Sequence, residues 1–179
     1  MAKVVVLLAP GFEEIEAVAV VDVLRRAGVD VTLAALGENP VSGSHDIRLE
    51  ADASLDDVGA PDYDAVVLPG GMPGATNLAR DQRVARLLAE MDRAGKLVSA
   101  ICAAPTVLEA AGLLRGRRAT GYPGFELPSA QYSSERVVSD GRIVTSRGPG
   151  TAIEFALELV ARLVGPERAS ELRERMLVS

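Results

Sequence analysis

One stretch of the chain decides the fold, and it reads Leu97-Val98-Ser99-Ala100-Ile101-Cys102-Ala103-Ala104-Pro105-Thr106-Val107-Leu108. The apolar run that ends at Ile101 predicts a buried central strand. Pro105 suits the first turn of a helix, where its missing N–H leaves no hydrogen bond unmade, and Gly112 provides a helix stop. Cys102 is therefore predicted at a strand-to-helix junction, at the carboxyl edge of a parallel sheet.

Cys102 is the only cysteine of the chain. Above the N-terminus of the following helix, exposed N–H groups and the helix dipole favour a thiolate over a thiol. The position therefore suggests a reactive cysteine with a lowered pKa. The alternative is a buried structural cysteine, the common fate of a lone intracellular cysteine.

Composition limits the possible functions. The chain has 179 residues, 48% of them hydrophobic, with a net charge of −6 and a pI near 4.9. These values predict one globular domain over residues 1–179 and argue against a nucleic-acid surface. A single cysteine excludes an internal disulfide and a cysteine-based zinc cluster, so we expect no metal. We find no signal peptide or membrane span in the sequence, and we expect a cytoplasmic protein.

Strand and helix patterns alternate along the rest of the chain, which predicts an α/β fold with a mostly parallel sheet covered on both faces. The predicted strands are Lys3–Ala9, Asp30–Ala35 and Ala65–Leu68, with a hairpin of Arg136–Val138 and Arg142–Thr145. Ile47–Ala51 is predicted as a short edge strand or as a hairpin with residues near Val41. The predicted helices are Glu13–Ala27, Asp81–Ala94, one opened by a capping box at Thr151 and Glu154, and a short one from Pro166.

Glu16 is the second candidate catalytic residue. At helical spacing it lies in line with Val20, Val23 and Ala27, and a carboxyl on that apolar face is costly unless it is protonated or paired. If Glu16 meets Cys102, it could donate a hydrogen bond to the thiolate and act as a general acid and base. The alternative is a partly exposed side chain at a loose helix start.

Three turns that contain glycine are expected at the same sheet edge: Pro10-Gly11, Pro69-Gly70-Gly71 and Gly148-Pro149-Gly150. The backbone N–H groups of Gly70, Gly71 and Ala103 could form an oxyanion hole there. No glycine-rich phosphate motif is present, which argues against a nucleotide site.

Two further features concern the surface. His45, the only histidine, lies in a polar segment and is expected in a surface loop. The first helix is apolar nearly all round from Ile15 to Leu24, so we expect its second side to meet another subunit. Deep burial within one domain is the alternative.

Taken together, these residues resemble the DJ/PfpI superfamily, in particular the branch of the Parkinson-disease-associated deglycase and its bacterial YajL-like relatives. The matching stretches are Ala9–Glu16, Asp22–Gly28, Asp52–Leu55, Val67–Gly71, Ala100–Thr106 and Thr145–Thr151.

The resemblance implies a flavodoxin-like three-layer sandwich with a nucleophile elbow, and a homodimer through the first helix. It implies Cys102 as an oxidation-sensitive nucleophile, Glu16 as its protonated partner, and Gly70, Gly71 and Ala103 as oxyanion donors, with no cofactor. The substrate pocket is expected to include Arg26, which would reach in from the partner subunit, and Tyr122, Arg147, Gly148, Pro149 and His45.

Three positions depart from the family pattern. Tyr122-Pro123 stands where the human member has His-Pro. An aromatic residue at this position is similar to the bacterial relatives. Ala103 follows the cysteine, where the proteolytic branch has histidine, which argues against a cysteine peptidase. His45 stands where the human member has arginine, so anion binding is expected to differ.

The expected function is a glyoxalase or deglycase that acts on small reactive aldehydes such as methylglyoxal and glyoxal. The alternative is an oxidative-stress sensor or holdase chaperone, in which Cys102 is oxidised to sulfinate.

Overall fold

A seven-stranded sheet runs through the middle of the computed structural model, which describes residues 1–179. Neighbouring strands are parallel except for one antiparallel pair at an edge of the sheet. In spatial order the strands are β10 (Val137–Asp140), β11 (Ile143–Ser146), β7 (Leu97–Ile101), β6 (Ala65–Leu68), β1 (Lys3–Leu8), β2 (Asp30–Ala35) and β5 (Ala53–Ser54).

Helices cover both faces of this sheet. They are α1 (Glu14–Arg26), α2 (Gly74–Arg80), α3 (Gln82–Arg93), α4 (Pro105–Ala110), α5 (Ala152–Leu163) and α6 (Pro166–Arg175). Val4 and Val6 of β1 join one hydrophobic cluster with α1 and α5, whereas Val5 and Leu7 join a second with α2, α3 and α4. This alternation follows from the period of two along a strand. It confirms the predicted three-layer α/β sandwich.

The predicted hairpin with residues near Val41 is confirmed, but Ile47–Ala51 is not an edge strand of the main sheet. The structure has a separate small hairpin of β3 (Val41–Ser42) and β4 (Arg48–Leu49). At the edge of β2, Asp52 bonds to Leu33 through its backbone N–H and also accepts the Leu33 N–H with its side chain (2.8 Å). Strand pairing with β2 therefore begins only at Ala53.

Other differences are local. The sequence did not predict α2 or the small parallel pair β8 (Arg118–Ala119) and β9 (Gln131–Tyr132). The capping box at Thr151 was also wrong, because the Thr151 hydroxyl bonds to Gly148 and makes no side-chain cap for α5. No helix is long and apolar enough to cross a membrane.

The sheet order brings the candidate residues together. β7 lies between β6 and β11, with Leu68 opposite Ala100 and Ser146 opposite Ile101. β1 lies next to β6 and leads into the start of α1. The loops after these four strands therefore meet at one carboxyl edge, where sites of open α/β sheets form.

Candidate active site

Cys102 occupies a strained turn between β7 and α4. Its φ angle is +65°, in the left-handed region that residues other than glycine rarely adopt. Its N–H donates to the Ser146 carbonyl (3.0 Å), and its carbonyl accepts from the Tyr122 N–H (2.8 Å). The two neighbouring loops thus fix both backbone groups and hold the side chain at the sheet edge.

Glu16 is fully buried in the first turn of α1. Its Oε2 accepts the Gly70 N–H at 2.7 Å, and the Cys102 thiol faces the carboxyl. Its Oε1 has no hydrogen-bond partner, which favours a proton on this oxygen. Burial, with a smaller contribution from the charge of Glu13, raises the pKa of Glu16 to about 7, although the Gly70 N–H and Cys102 oppose the shift.

We expected a lowered pKa for Cys102, but its pKa is raised when Glu16 is ionised. Burial first, and then the charge and hydrogen bond of Glu16, raise the pKa of the Cys102 thiol to about 12. Backbone N–H groups of Ala103 and Gly71 oppose this shift, because they donate to the sulfur. These backbone donors lower the pKa of Cys102, but burial and the neighbouring carboxylate together outweigh them.

The two acids therefore behave as a coupled pair that shares one negative charge near neutral pH. When Glu16 is ionised, Cys102 stays a thiol, so the thiolate requires that Glu16 keep its proton. A pair in this state contains a nucleophile next to a proton donor.

The predicted oxyanion donors divide into two roles. Gly71 and Ala103 N–H groups lie at the Cys102 sulfur, as the prediction required. The Gly70 N–H is occupied by Glu16, so the expectation that it serves as an oxyanion donor was wrong. Gly70 instead allows close approach, since an added Cβ would lie 2.6 Å from Cβ of Cys102 and 2.8 Å from Oε2 of Glu16.

Tyr122 and Gly148 lie together beside the cysteine. A Cβ added to Gly148 would be 3.3 Å from Cδ2 of Tyr122, whose ring also makes an edge contact with Phe125. Pro149 starts the short 3₁₀ turn that follows Gly148. The Tyr122 side chain is 46% exposed, and its backbone N–H bonds to the Cys102 carbonyl.

The two predicted pocket arginines bond to other residues within this chain. Arg147 donates to the Ser134 carbonyl (3.3 Å). Arg26 lies ten residues after Glu16 on α1, about 15 Å further along the helix, and pairs with Asp22 (2.8 Å). That Arg26 reaches the site of a partner subunit stays a prediction.

His45 is exposed, as predicted, but it interacts with two carboxylates at the start of α1. Its Nδ1 lies 3.0 Å from Oε2 of Glu14 and 3.5 Å from Oε2 of Glu13. The hydrogen bond and charges of these acids raise the pKa of His45, and the same hydrogen bond keeps the pKa of Glu14 below its usual value. Glu13 and Glu14 are both buried.

A hydroxyl pair supports the cysteine turn and was not predicted. Ser146 Oγ lies 2.7 Å from Thr151 Oγ1 and donates to the Arg136 carbonyl, while Thr151 Oγ1 accepts the Gly148 N–H (3.1 Å). These bonds fix the segment whose Ser146 carbonyl holds Cys102. Buried hydroxyls flanking a Gly-Pro-Gly turn are the sequence feature that could have indicated this network.

The chain is similar to known proteins over its whole length. The model of the DJ-1/PfpI family matches residues 2–162. Protein dj-1beta of Drosophila melanogaster is 43% identical over 97% of this chain and 96% of its own length. A Caenorhabditis elegans relative named glutathione-independent glyoxalase DJR-1.2 is 39% identical over 89% of this chain and 87% of its own.

The structural similarity is equally extensive. The crystal structure of a mutant DJ-1 superfamily protein from Salmonella typhimurium superposes with a TM-score of 0.95 and 42% identity, and covers 100% of both chains. This agreement supports the flavodoxin-like α/β arrangement described above.

The pH dependence of cysteine alkylation tests the coupled pair. We expect the iodoacetamide rate of the wild type to stay low as the pH rises through 7, because the first proton leaves Glu16, whose pKa is raised to about 7, and its carboxylate keeps Cys102 a thiol. Glu16→Gln should be alkylated faster around the ordinary thiol pKa of about 8.5, since it removes a charge that helps to raise the pKa of Cys102. Equal rates for the two proteins at every pH would contradict the coupling.

Protein stability should also depend on Glu16. Because its folded-state pKa is raised from 4.5 to about 7, its contribution is fully present below pH 4.5 and is lost as the pH rises through 7. We expect the free energy of unfolding to fall by on the order of 3 kcal/mol relative to Glu16→Gln between pH 4.5 and 8. Denaturant titrations of both proteins at equal concentration measure the difference, and parallel pH curves would refute it.

Proposed function

We propose that this chain, which belongs to the DJ-1/PfpI family, is a cofactor-independent glyoxalase that acts on methylglyoxal, glyoxal and their early adducts. The observation that carries the proposal is the buried Glu16–Cys102 pair, with the Gly71 and Ala103 N–H groups at the sulfur. The name of the C. elegans relative supports the same reaction class.

The first step is addition of the Cys102 thiolate to the aldehyde carbon of methylglyoxal. The electron pair of the C=O π bond moves onto the oxygen, which becomes an alkoxide, and protonation of this oxygen gives a hemithioacetal. The Gly71 and Ala103 N–H groups are the nearest donors to stabilise the developing negative charge. Protonated Glu16 then gives its proton to the alkoxide and becomes a carboxylate.

The second step moves a proton between adjacent carbons. The Glu16 carboxylate removes the hydrogen from the former aldehyde carbon, and the electron pair of that C–H bond forms the C=C bond of an enediolate, with the negative charge on the former ketone oxygen. Glu16 returns its proton to the neighbouring carbon, and the hydroxyl proton of the hemithioacetal moves to the former ketone oxygen. A thioester of lactate results, which water hydrolyses to release lactate and the thiol. Glu16 carries the transferred proton, and water is the only further reactant.

The same pair can act on early adducts of aldehydes with amines or thiols. Such adducts release free aldehyde in equilibrium, so attack on the adduct and scavenging of the aldehyde give the same products. We therefore assign deglycation to the same chemistry. Direct attack on the adduct would be distinguished by an enzymatic rate that exceeds the rate at which the adduct releases free aldehyde spontaneously.

An oxidative-stress sensor or holdase is the second candidate. It is favoured by the lone cysteine, which leaves no intramolecular thiol to resolve a sulfenic acid, and by the backbone donors at its sulfur. A cysteine peptidase is not favoured, because His45 interacts with Glu13 and Glu14 and thus leaves Cys102 without a histidine base.

Lactate formation from methylglyoxal tests the catalytic proposal. Cys102→Ser should abolish turnover, and Glu16→Gln should lower kcat by roughly 10²–10⁴-fold, the usual contribution of a general acid and base. Arg175→Gln is the matched control, because Arg175 lies on the surface of α6 and pairs with Glu171. Wild-type protein that forms no lactate, yet suppresses aggregation once oxidised, would favour the sensor.

We also propose a cytoplasmic homodimer that packs through α1. The inner face of this helix lies in the core, whereas Ile15 and Val18 on its outer face are 59% and 48% exposed. Ile47 of the adjacent hairpin is 55% exposed, so the three side chains offer an apolar surface beside the site. In such a dimer Arg26 of one subunit could approach the site of the other.

Sedimentation of charged variants tests the dimer. Val18→Glu should give a folded monomer, because it places a charge in the proposed interface without touching the core. Val164→Glu, at a site 47% exposed near the end of α5, should sediment as wild type does. A wild-type monomer at micromolar concentration would refute the proposal. Val20→Glu is unsuitable, since Val20 is a core residue.

A further inference from the structure

The segment that holds the Cys102 carbonyl is itself anchored to the central sheet by a buried hydroxyl. The Thr120 N–H donates to Oγ1 of Thr145 at 2.9 Å, and both residues are fully buried. We propose that Thr145 is a positioning residue for Cys102, because this hydrogen bond keeps the Tyr122 N–H on the cysteine carbonyl and so keeps the sulfur at its backbone donors. The inference concerns the reactivity of the cysteine and does not depend on the proposed glyoxalase activity.

The end of β11 reaches the cysteine turn from both faces of the sheet. Side chains alternate along a strand, so Thr145 and Ser146 point to opposite faces. The Ser146 side chain bonds to Thr151 at the start of α5, whereas the Thr145 side chain meets Thr120 on the face that α4 covers. Two consecutive residues therefore hold the two loops that bind the backbone of Cys102.

The anchored segment has little freedom to move without disturbing the turn. A Cβ added to Gly121 would lie 3.2 Å from the Cys102 carbonyl oxygen and 3.5 Å from Cγ of Pro105. The Thr120 side-chain hydroxyl is buried without a hydrogen-bond partner, so its backbone N–H makes the bond to Thr145. A buried backbone N–H is rarely left unpaired, so loss of the Thr145 oxygen would force this segment to shift.

A shift of the segment would reach the sulfur through the strained backbone of Cys102. The cysteine has a φ angle of +65°, and such a conformation persists only where its surroundings determine it. Without the Tyr122 N–H on its carbonyl, the turn can relax and the sulfur can move away from the Gly71 and Ala103 N–H groups. These donors lower the pKa of Cys102, so their loss disfavours the thiolate.

The pH profile of cysteine alkylation tests the proposal, and the signal is unambiguous because Cys102 is the only cysteine. The Glu16→Gln background is used, since it removes the carboxylate that raises the pKa of the thiol. Thr145→Val keeps the shape of the side chain but lacks the hydroxyl. We expect it to move the midpoint of the iodoacetamide profile to higher pH by about one unit, which is about a tenfold lower rate below the midpoint. Thr145→Ser keeps the hydroxyl and should restore the parent profile.

Two matched variants separate positioning from a general loss of stability. Ser99→Ala, in the strand that leads to Cys102, removes a buried hydroxyl that donates to the Val66 carbonyl (2.9 Å). Thr120→Val removes the buried hydroxyl that has no partner. Both should keep the parent midpoint, and circular dichroism checks that each variant is folded.

Gly121→Ala is a second test that leaves Thr145 intact. Its added methyl group would press on the Cys102 carbonyl, so the midpoint should move in the same direction as in Thr145→Val. If Thr145→Val does not fold, Gly121→Ala decides alone. A midpoint that is unchanged or lowered in these variants, an equal shift in Ser99→Ala, or a Thr145→Ser variant that behaves like Thr145→Val would overturn the proposal.

Discussion

The burial of Glu16 without a cationic partner is the constraint on which the rest of the site depends. The carboxyl is tolerated because the Gly70 N–H donates to one oxygen and the Cys102 thiol faces the group, while its raised pKa allows it to remain protonated. That arrangement requires α1, β6 and β7 to approach closely. A side chain at position 70 would push Glu16 and Cys102 apart, so the glycine is a condition of the pair.

The turn at Cys102 is also stabilised by a small number of hydrogen bonds. A left-handed backbone at a residue other than glycine costs of order 1–3 kcal/mol, and it persists only where the surroundings determine it. Here the Ser146 carbonyl and the Tyr122 N–H bind the two backbone groups of Cys102. The Ser146 and Thr151 hydroxyls in turn hold the first of these loops, so the sulfur position is set by residues that never touch it.

The sequence predicts the architecture well because its strands are apolar runs. The carboxyl ends of parallel strands meet at one edge of a sheet, and this places Cys102, Gly71 and Glu16 near one another. It fails where a result depends on three-dimensional direction. Nothing in the pattern shows that the Gly70 N–H points at Glu16, or that burial and the neighbouring carboxylate outweigh the backbone N–H donors at Cys102. The Thr151 hydroxyl could likewise cap α5 or bond to Gly148, and only the packing of the loop selects Gly148.

The start of α1 places three carboxyl groups within four residues, and each is accommodated differently. Glu16 can hold a proton, Glu14 accepts backbone N–H groups and His45, and Glu13 has only a shared hydroxyl. The helix N-terminus favours such negative charge, but the groups also repel one another. In the proposed reaction, repulsion from these carboxylates would act on the lactate product and not on the neutral aldehyde, so it would promote product release.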